Sequence, residues 1–379
     1  MIHRKIGKVK AVASSQGDLT EISVDIAGKI YPAINFDSLT GRVKEGDDVL
    51  LNTTAVDLNL GSGGYHFVMA NLTEPAGVEE NDNPGHIMKL RYTPFQVKVL
   101  AAEEQDSPHH GSLKKEDSLA GTPVVCCTLH SMLPPAAAAV KTLAPNLRIV
   151  YVMTDGAALP IQFSRLVQIL KERGLIQGTV TTGHSFGGDL EAVNVYSGLL
   201  AAKKVLHADI IIVSMGPGIV GTGTTFGFTG MEQADIINAT AVLEGIPVAV
   251  PRISFADNRE RHYGLSHHSR TVLGKASFAE AIVALPIMDE KKTKKIISQM
   301  KEGGITEKHN IAVEDGNPGL ELLKELDIKV TTMGRTIAED KEFFLAPSAA
   351  GSIAAKILLD EKIKFLDQWE KGEIWKKKE

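Results

Sequence analysis

The sequence predicts an α/β protein in which a small all-β domain precedes a Rossmann-like domain with a mostly parallel, doubly wound sheet. Short apolar β-forming runs separated by Gly, Asn and Asp fill the first 75 residues. From Thr122 onward, strand and helix patterns alternate about eight times, which is typical of βαβ units. The chain has 379 residues, more than one ordinary core accommodates, so we expect more than one domain.

The N-terminal region predicts four or five short strands, enough for a small barrel or sandwich. The β-forming runs are 6–13, 21–34, 48–56 and 65–72. A polar connection follows, with one or two strands in it. The predicted domains are therefore a β-barrel-like domain (1–75), this connection (76–120) and the α/β domain (121–379).

The C-terminal region reads as strands alternating with helices, and right-handed crossovers would place those helices on both faces of the sheet. The predicted strands are PVVCCTL, LRIVYVMT, GTVTT, ADIIIVSM, IPVAVPRI, AIVALPI, NIAVED and KVTTMG. The predicted helices are SMLPPAAAAVKTLA and residues 159–173, 189–206, 232–243, 269–280, 291–301, 320–326 and 343–366.

Composition excludes several classes of protein. The formal net charge of −5 argues against a protein that coats nucleic acid, whose domain would be strongly basic. No apolar stretch reaches the roughly 20 residues of a membrane span, and the N-terminus lacks the apolar core of a signal peptide. The two adjacent cysteines, Cys126 and Cys127, read as buried small hydrophobes. We therefore predict a cytoplasmic protein without nucleic-acid or membrane partners.

Polar and glycine-rich segments follow the predicted strands, whereas the segments that lead into the strands are less rich in such residues. Ligands of open parallel sheets bind beyond the carboxyl ends of the strands. This asymmetry predicts a functional site at that edge. The segments are His130-Ser131, Thr154-Asp155-Gly156, 183–191, 216–227 and 254–269.

The loop 216–227, GPGIVGTGTTFG, is a candidate cradle for a phosphate or carboxylate. Glycines let backbone amides approach an anion, and a helix N-terminus follows. The loop is neither a Walker loop nor a regular G-x-G-x-x-G motif, so a flexible lid or a packed turn stays an alternative. The candidate ligand-binding residues here are Gly216, Gly218, Gly221, Thr222, Gly223 and Thr224.

The segment GHSFGG, with His184 and Ser185, matches G-x-S-x-G between a predicted strand and a predicted helix, which is the setting of a nucleophile elbow. Asp257 would fit the acid of a serine hydrolase, but Met288-Asp289-Glu290-Lys291 stands where the histidine is expected. The alternative is that the glycines serve tight packing. Asp189 and Glu191 would open the next helix, where only one of them would point into the cleft.

The loop 254–269 is the most polar segment. Arg259 and Arg261 suit recognition of a phosphate or carboxylate, and the histidines suit acid–base work or a metal. We expect proton transfer or metal contact from Asp155 with His267 or His268. A divalent metal held by Asp155, Asp189 and one histidine is a weaker alternative, because adjacent histidines rarely share a metal and no H-x-x-x-H spacing occurs. No residue is therefore assigned as a metal ligand.

Six blocks of the sequence, in order, resemble one bacterial family, found in Gram-positive lineages, that is catalogued only as a domain of unknown function. They are LLNTTAVDLNLGSGGYHFV, GHIMKLRYTP, YVMTDGAALP, FGGDLEAV, GPGIVGTGT and RERHYGLSHHS. The resemblance extends over almost the whole chain and implies a bacterial protein. It implies no activity and no catalytic residues.

The favoured interpretation is an enzyme that acts on a small anionic or phosphorylated molecule. A serine hydrolase using Ser185 and a non-enzymatic ligand-sensing or scaffold module are the alternatives. The sequence leaves the cofactor, the substrate and the oligomeric state open, including whether the chain forms a homo-oligomer.

Overall fold

The structure is a computed structural model that describes residues 2–61, 63–74 and 84–367. The chain divides into two compact units. The first comprises Met1–Pro84 and Leu90–Lys98, and the second comprises Gly85–Lys89 and Val99–Glu379. The predicted connection 76–120 thus contributes to both units, and its residues 76–83 lie outside the described part of the chain.

The first unit contains a closed five-stranded barrel, which decides between the two predicted alternatives of a barrel and a sandwich. Its strands are β1 (Arg4–Gln16), β2 (Leu19–Ile26), β3 (Lys29–Phe36), β4 (Asp48–Asn52) and β5 (His66–Asn71), in the order β1-β2-β3-β5-β4. Two single-turn helices, α1 (Asp37–Thr40) and α2 (Thr54–Asp57), lie between strands. The predicted run 21–34 is two strands, because Ala27 and Gly28 take positive φ angles and form a tight hairpin.

The second unit is built on one nine-stranded sheet. Two short strands and a helical turn precede this sheet in the chain: β6 (Ile87–Lys89), β7 (Val97–Val99), whose first two residues belong to the first unit, and α3 (His110–Leu113). The remaining strands are β8 (Pro123–Cys126), β9 (Ile149–Thr154), β10 (Gly178–Thr182), β11 (Leu190–Ala192), β12 (Ile210–Met215), β13 (Ile246–Ala249), β14 (Ile253–Ser254), β15 (Gly264–Leu265), β16 (Ile282–Pro286), β17 (Asn310–Glu314), β18 (Thr331–Thr332), β19 (Arg335–Thr336) and β20 (Lys364–Phe365).

The sheet order is β11-β10-β9-β12-β8-β13-β16-β17-β20, and every neighbouring pair is parallel except β17 with β20. Because β12 lies between β9 and β8, the order departs from the 3-2-1-4-5-6 order of the Rossmann fold. All residues of β9 and β12 are buried, so both faces of the sheet are covered there.

The helices cover the sheet in two groups. They are α4 (Leu133–Leu143), α5 (Arg165–Glu172), α6 (Val195–Lys204), α7 (Glu232–Val242), α8 (His267–Thr271), α9 (Glu290–Glu302), α10 (Asn317–Glu325) and α11 (Lys341–Leu358). Helices α4, α10 and α11 pack on one another, and α6 packs on α7. Short 3-10 turns occupy 130–132, 161–163, 229–231 and 260–262, and α8 continues as a π-helical turn, Val272–Ala276. Among the described residues no helix combines the length and apolar character needed to cross a bilayer.

Four predicted elements are wrong in part, and the first of them, the helix predicted from residue 159, begins only at Arg165. The helix predicted from residue 189 begins only at Val195, where the Asn194 side chain accepts from the Ser197 amide, and Leu190–Ala192 extends the sheet instead. KVTTMG contributes only β18, which pairs with β19 outside the main sheet. The last helix ends at Leu358, and β20 follows it as an antiparallel edge strand. Both cysteines are free and buried, as predicted.

Helices α4 and α11 approach closely because small residues line their contact. A Cβ atom at Gly351 would lie 2.2 Å from the main-chain oxygen of Ala136, nearer than real contacts allow. Backbone atoms cannot turn aside as a flexible side chain can. The absence of a side chain at position 351 therefore sets the separation of the two helices, and with it the layer that covers this part of the sheet.

We expect Gly351→Ala to lower the free energy of unfolding by roughly 1–3 kcal/mol, because overpacking forces two buried helices apart. Urea unfolding followed by circular dichroism measures the change. The matched control is Gly111→Ala in α3, where the added Cβ meets no atom within 4 Å. The control should leave stability within about 1 kcal/mol of the original or raise it slightly. Equal behaviour of the two variants would contradict the close packing.

Candidate functional site

The loops that follow β10, β9, β12 and β13 contact one another at the carboxyl edge of the sheet. After β9, the Ala158 amide donates to the Pro217 oxygen of the loop after β12, at 3.0 Å. The His184 amide, after β10, donates to Asp155 Oδ2 at 2.8 Å. Gly221 lies against the ring of His268, which follows β13 in the chain. The structure thus brings most of the predicted site residues to a single edge.

The glycine-rich loop 216–227 folds back on itself as a turn. The Thr222 amide donates to the Gly227 oxygen at 2.8 Å, and the Thr222 and Thr224 hydroxyls bond each other at 2.8 Å. Gly218 takes a φ of 114°, which only glycine adopts without strain. The two threonine hydroxyls are therefore engaged within the loop, whose residues 221–227 are exposed.

Phe228 anchors the end of this loop to the histidines. Its ring stacks on the His268 imidazole with centroids 3.8 Å apart and planes 7° from parallel. It also contacts His267 edge-on, at 5.9 Å between centroids. Because Phe228 is buried, the loop after β12 is fixed against the segment that follows β13.

The three histidines of the loop 254–269 form one cluster. His262 lies in the segment between the paired strands β14 and β15. The Ser266 side chain caps the N-terminus of α8, and His267 and His268 are the first two residues of that helix. His262 Nδ1 bonds Ser266 Oγ at 2.7 Å. One nitrogen of each ring lies within 4.8 Å of the other two. His262 and His268 are buried, and His267 is partly exposed.

These imidazoles are held in the neutral form. Burial, with a contribution from Arg252, lowers the pKa of His262 to about 3. Burial, with a contribution from His267, lowers the pKa of His268 to about 3. The pKa of His267 is also lowered, first by burial and then by the charge of Arg261. At neutral pH the cluster therefore offers ring nitrogens with free lone pairs.

A buried carboxylate, Asp257, organises the arginines beside the cluster. Arg259 binds it through two nitrogens at 2.9 and 2.7 Å, and Arg252 approaches its Oδ2 at 3.3 Å. Arg335 lies 3.6 Å from the same oxygen and 3.0 Å from Asp340. The hydrogen bonds of Arg259 hold the pKa of Asp257 well below its usual range. Asp257 and Arg259 are thus partners in an ion pair, which differs from their predicted separate roles as hydrolase acid and anion clamp.

Other guanidinium nitrogens remain available near the histidines. Within the described residues, the Nε atoms of Arg252 and Arg270 are buried without a hydrogen-bond partner. Arg261 is exposed. After burial, the charges of Arg261, Arg252, Arg270 and Arg259 all lower the pKa of His267, so the four groups lie near this side chain. The surroundings of His267 are therefore strongly electropositive.

A pair of carboxylates, Asp155 and Glu232, lies where β9 ends and α7 begins. Glu232 accepts from the Thr154 hydroxyl at 2.9 Å and lies against the backbone of Gly156. Burial, with repulsion from Asp155 as a smaller cause, raises the pKa of Glu232 to about 7. Glu232 can therefore gain or lose a proton near neutral pH, as acid–base catalysis requires.

The GHSFGG segment does not form a nucleophile elbow. Ser185 is fully buried, and its hydroxyl lies 2.8 Å from the Thr182 oxygen and 3.0 Å from the Met153 oxygen. Lys89, also fully buried, donates to the oxygens of Ser185 and Thr181 and to Glu191. A strand, β11, follows the segment where a helix was predicted. Buried polar contacts thus hold the loop in place.

Asp189 lies away from the other candidates. It accepts from the amide and hydroxyl of Thr179, at the amino end of β10, and pairs with Lys171. Asp155 contacts the loop beyond the opposite end of that strand. The two carboxylates therefore do not share a site, and a metal held by both is excluded by the fold.

The family model described as "Protein of unknown function (DUF3866)" matches residues 32–351. The chain belongs to the DUF3866 family. No curated protein and no solved structure matches the chain.

The site of this DUF3866 chain includes residues that were not singled out from the sequence. Glu232 could have been found as the first carboxylate after the glycine-rich loop, at a predicted helix start. No local sequence pattern pointed to Arg252, Arg335 or Asp340 as site residues. They reach the surroundings of Asp257 only through the fold, from a strand end and from a turn distant in the chain.

Glu232→Gln tests the raised pKa. The folded chain favours the protonated form of Glu232. The free energy of unfolding of the original chain therefore falls as pH rises from about 4.5 to 7, and this loss of stability stays constant at higher pH. Below pH 4.5 the two chains should be equally stable. At pH 8 the variant should be more stable by roughly 2 kcal/mol, as measured by urea unfolding across this range. The control is Glu172→Gln, at an exposed position of α5, which should leave the dependence of stability on pH unchanged. If Glu232→Gln also left this dependence unchanged, the raised pKa of Glu232 would be refuted.

A fluorophosphonate probe tests the reactivity of Ser185. We expect no labelling at this residue in the folded chain, since its hydroxyl is fully buried and directed at main-chain oxygens. Mass spectrometry of the digested protein gives the answer, with Ser185→Ala as the matched control. Labelling that disappears in the Ala variant would restore the hydrolase interpretation.

Proposed function

We propose that the second unit is an enzyme that binds a small anionic or phosphorylated molecule beside His267. One observation carries this proposal. Four guanidinium groups lower the pKa of His267, and two of them have a buried Nε–H group without a hydrogen-bond partner among the described residues. A buried donor left unsatisfied costs free energy that an anionic acceptor would recover. Guanidinium groups also match the oxygens of phosphates and carboxylates.

Arg261 is the group best suited to take up the ligand. Arg259, in contrast, is already bonded through two nitrogens to Asp257. Arg261 is exposed and near enough to lower the pKa of His267. An exposed guanidinium can meet an incoming anion without breaking an ion pair. We therefore assign the role of anion clamp to Arg261, with Arg252 and Arg270 as buried supporting donors.

The glycine-rich loop lies between the two parts of the site. Gly218 lies beside Ala157, next to the carboxylate pair, and Gly221 lies beside His268. A ligand held at the arginines would meet backbone of this loop, where glycines leave room for close approach. Glu232 would then donate a proton to the ligand or accept one from it, because its pKa of about 7 allows either near neutral pH. Binding without turnover would make the chain a ligand-sensing module.

Inorganic phosphate should raise the melting temperature of the full chain, because it binds the folded state alone. Arg261→Ala should abolish most of this increase while leaving the melting temperature without phosphate nearly unchanged, since the side chain is exposed. At 100 times the dissociation constant the stabilisation is about 2.7 kcal/mol, which is readily measured by differential scanning calorimetry.

The matched control is Arg173→Ala. Arg173 is also exposed, but it follows α5 and precedes the amino end of β10, away from the proposed site. This variant should keep the full response to phosphate. A response that survives Arg261→Ala, or that is lost equally in both variants, would show that the anion binds elsewhere.

A further inference from the structure

The histidine cluster has a geometry that anion binding alone does not explain. His262, His267 and His268 come from two segments that the β14–β15 hairpin and the cap at Ser266 bring together. Their ring centroids lie 4.9, 4.9 and 4.3 Å apart. His268 Nδ1 and His267 Nε2 are buried, and neither has a hydrogen-bond partner among the described residues. His268 is only 5% exposed, so solvent does not satisfy the buried atom.

We propose that His262, His267 and His268 form a mononuclear site for a first-row transition metal ion, with Zn²⁺ as the best match. Three imidazoles that leave further coordination positions open are a ligand set typical of catalytic zinc. Imidazole nitrogen suits zinc and its neighbours, whereas Mg²⁺ and Ca²⁺ prefer oxygen. The proposal does not rest on the anion site, because the metal can be titrated alone.

The distances suit a metal after a small adjustment. One nitrogen of each ring lies within 4.8 Å of the others. Tetrahedral coordination at about 2.0–2.1 Å would place them roughly 3.3 Å apart, so ring movements of about 1 Å are enough. The bond from His262 Nδ1 to Ser266 Oγ leaves Nε2 of this ring for the metal. Such a bond on the far nitrogen orients a metal-ligating histidine.

Two carboxylates beside the cluster offset part of the positive charge that a metal cation would meet there. Arg252, Arg259 and Arg335 face the carboxylates of Asp257 and Asp340, which neutralise two of their three charges. One of these three charges and those of Arg261 and Arg270 remain, and together they disfavour a bare ion. An anion on an open coordination position of the metal would balance them. A bound metal would polarise such an anion as a Lewis acid.

Titration of the full chain with Zn²⁺ after treatment with a chelator tests the site. Isothermal titration calorimetry should give one equivalent of zinc per chain. His262→Ala, His267→Ala and His268→Ala should each weaken binding by at least about 100-fold, since each removes a direct ligand. His207→Asn is the control: His207 is exposed, and asparagine tolerates its positive φ of 55°. This variant should bind zinc as the original chain does.

A second measurement covers variants that fold poorly. His268→Ala removes the stacking partner of Phe228, so circular dichroism and unfolding in chelator must first show that each variant is folded. In the unaltered chain, Co²⁺ should give the intense visible absorption of four- or five-coordinate geometry. Weak absorption typical of six-coordinate Co²⁺, absence of zinc binding, or equal zinc affinity in all four variants would each overturn the proposal.

The zinc and phosphate experiments test the two proposed sites independently. If phosphate stabilises the chain through Arg261 but zinc does not bind, the metal site is wrong and the anion site stands. If zinc binds through the three histidines but phosphate has no effect, the metal site stands without the proposed function.

Discussion

The buried carboxylate of Asp257 is the constraint on which the candidate site depends. Its side chain is 3% exposed and faces the guanidinium groups of Arg252, Arg259 and Arg335. Without this charge, the buried guanidinium of Arg252 would lie beside two other cations with no carboxylate bonded to it, and a buried charge that loses its partner is strongly destabilising. Because Arg259 follows Asp257 closely and His262 follows Arg259, the same ion pairs fix the path of the chain into the histidine cluster. Asp257 thus holds two of the four arginines that lower the pKa of His267, namely Arg252 and Arg259.

The parallel sheet determines which loops can meet Asp257. Strands β9, β12, β8 and β13 lie side by side and run in the same direction, so the segments that follow them emerge at one edge. The stacking of Phe228 on His268 then joins the loop after β12 to the segment after β13. Close packing of α4 against α11, permitted by Gly351, supports the sheet that holds these loops. The chemistry lies on loops, but rigid elements determine its geometry.

The sequence predicted the strands of the sheet better than the contacts at the candidate site. Continuous apolar runs identified β8, β9, β12 and β13, because doubly covered strands leave a clear pattern. The helix predicted from residue 189 failed because Asp189 and Glu191 bond Thr179, Thr181 and Lys89 rather than the start of a helix. Glu232 and Arg252 were missed because long-range burial, which no local pattern reports, gives them their properties. The three-histidine cluster was missed because adjacent histidines ordinarily diverge.

Anomalous diffraction from crystals of the full chain soaked with selenate tests the central claim most directly, since it locates an anion without relying on a variant. The account predicts a selenium peak within hydrogen-bonding distance of Arg261, beside His267 and next to the glycine-rich loop. Selenate that is ordered elsewhere, with no peak among these arginines, would contradict the claim that an anion binds beside His267.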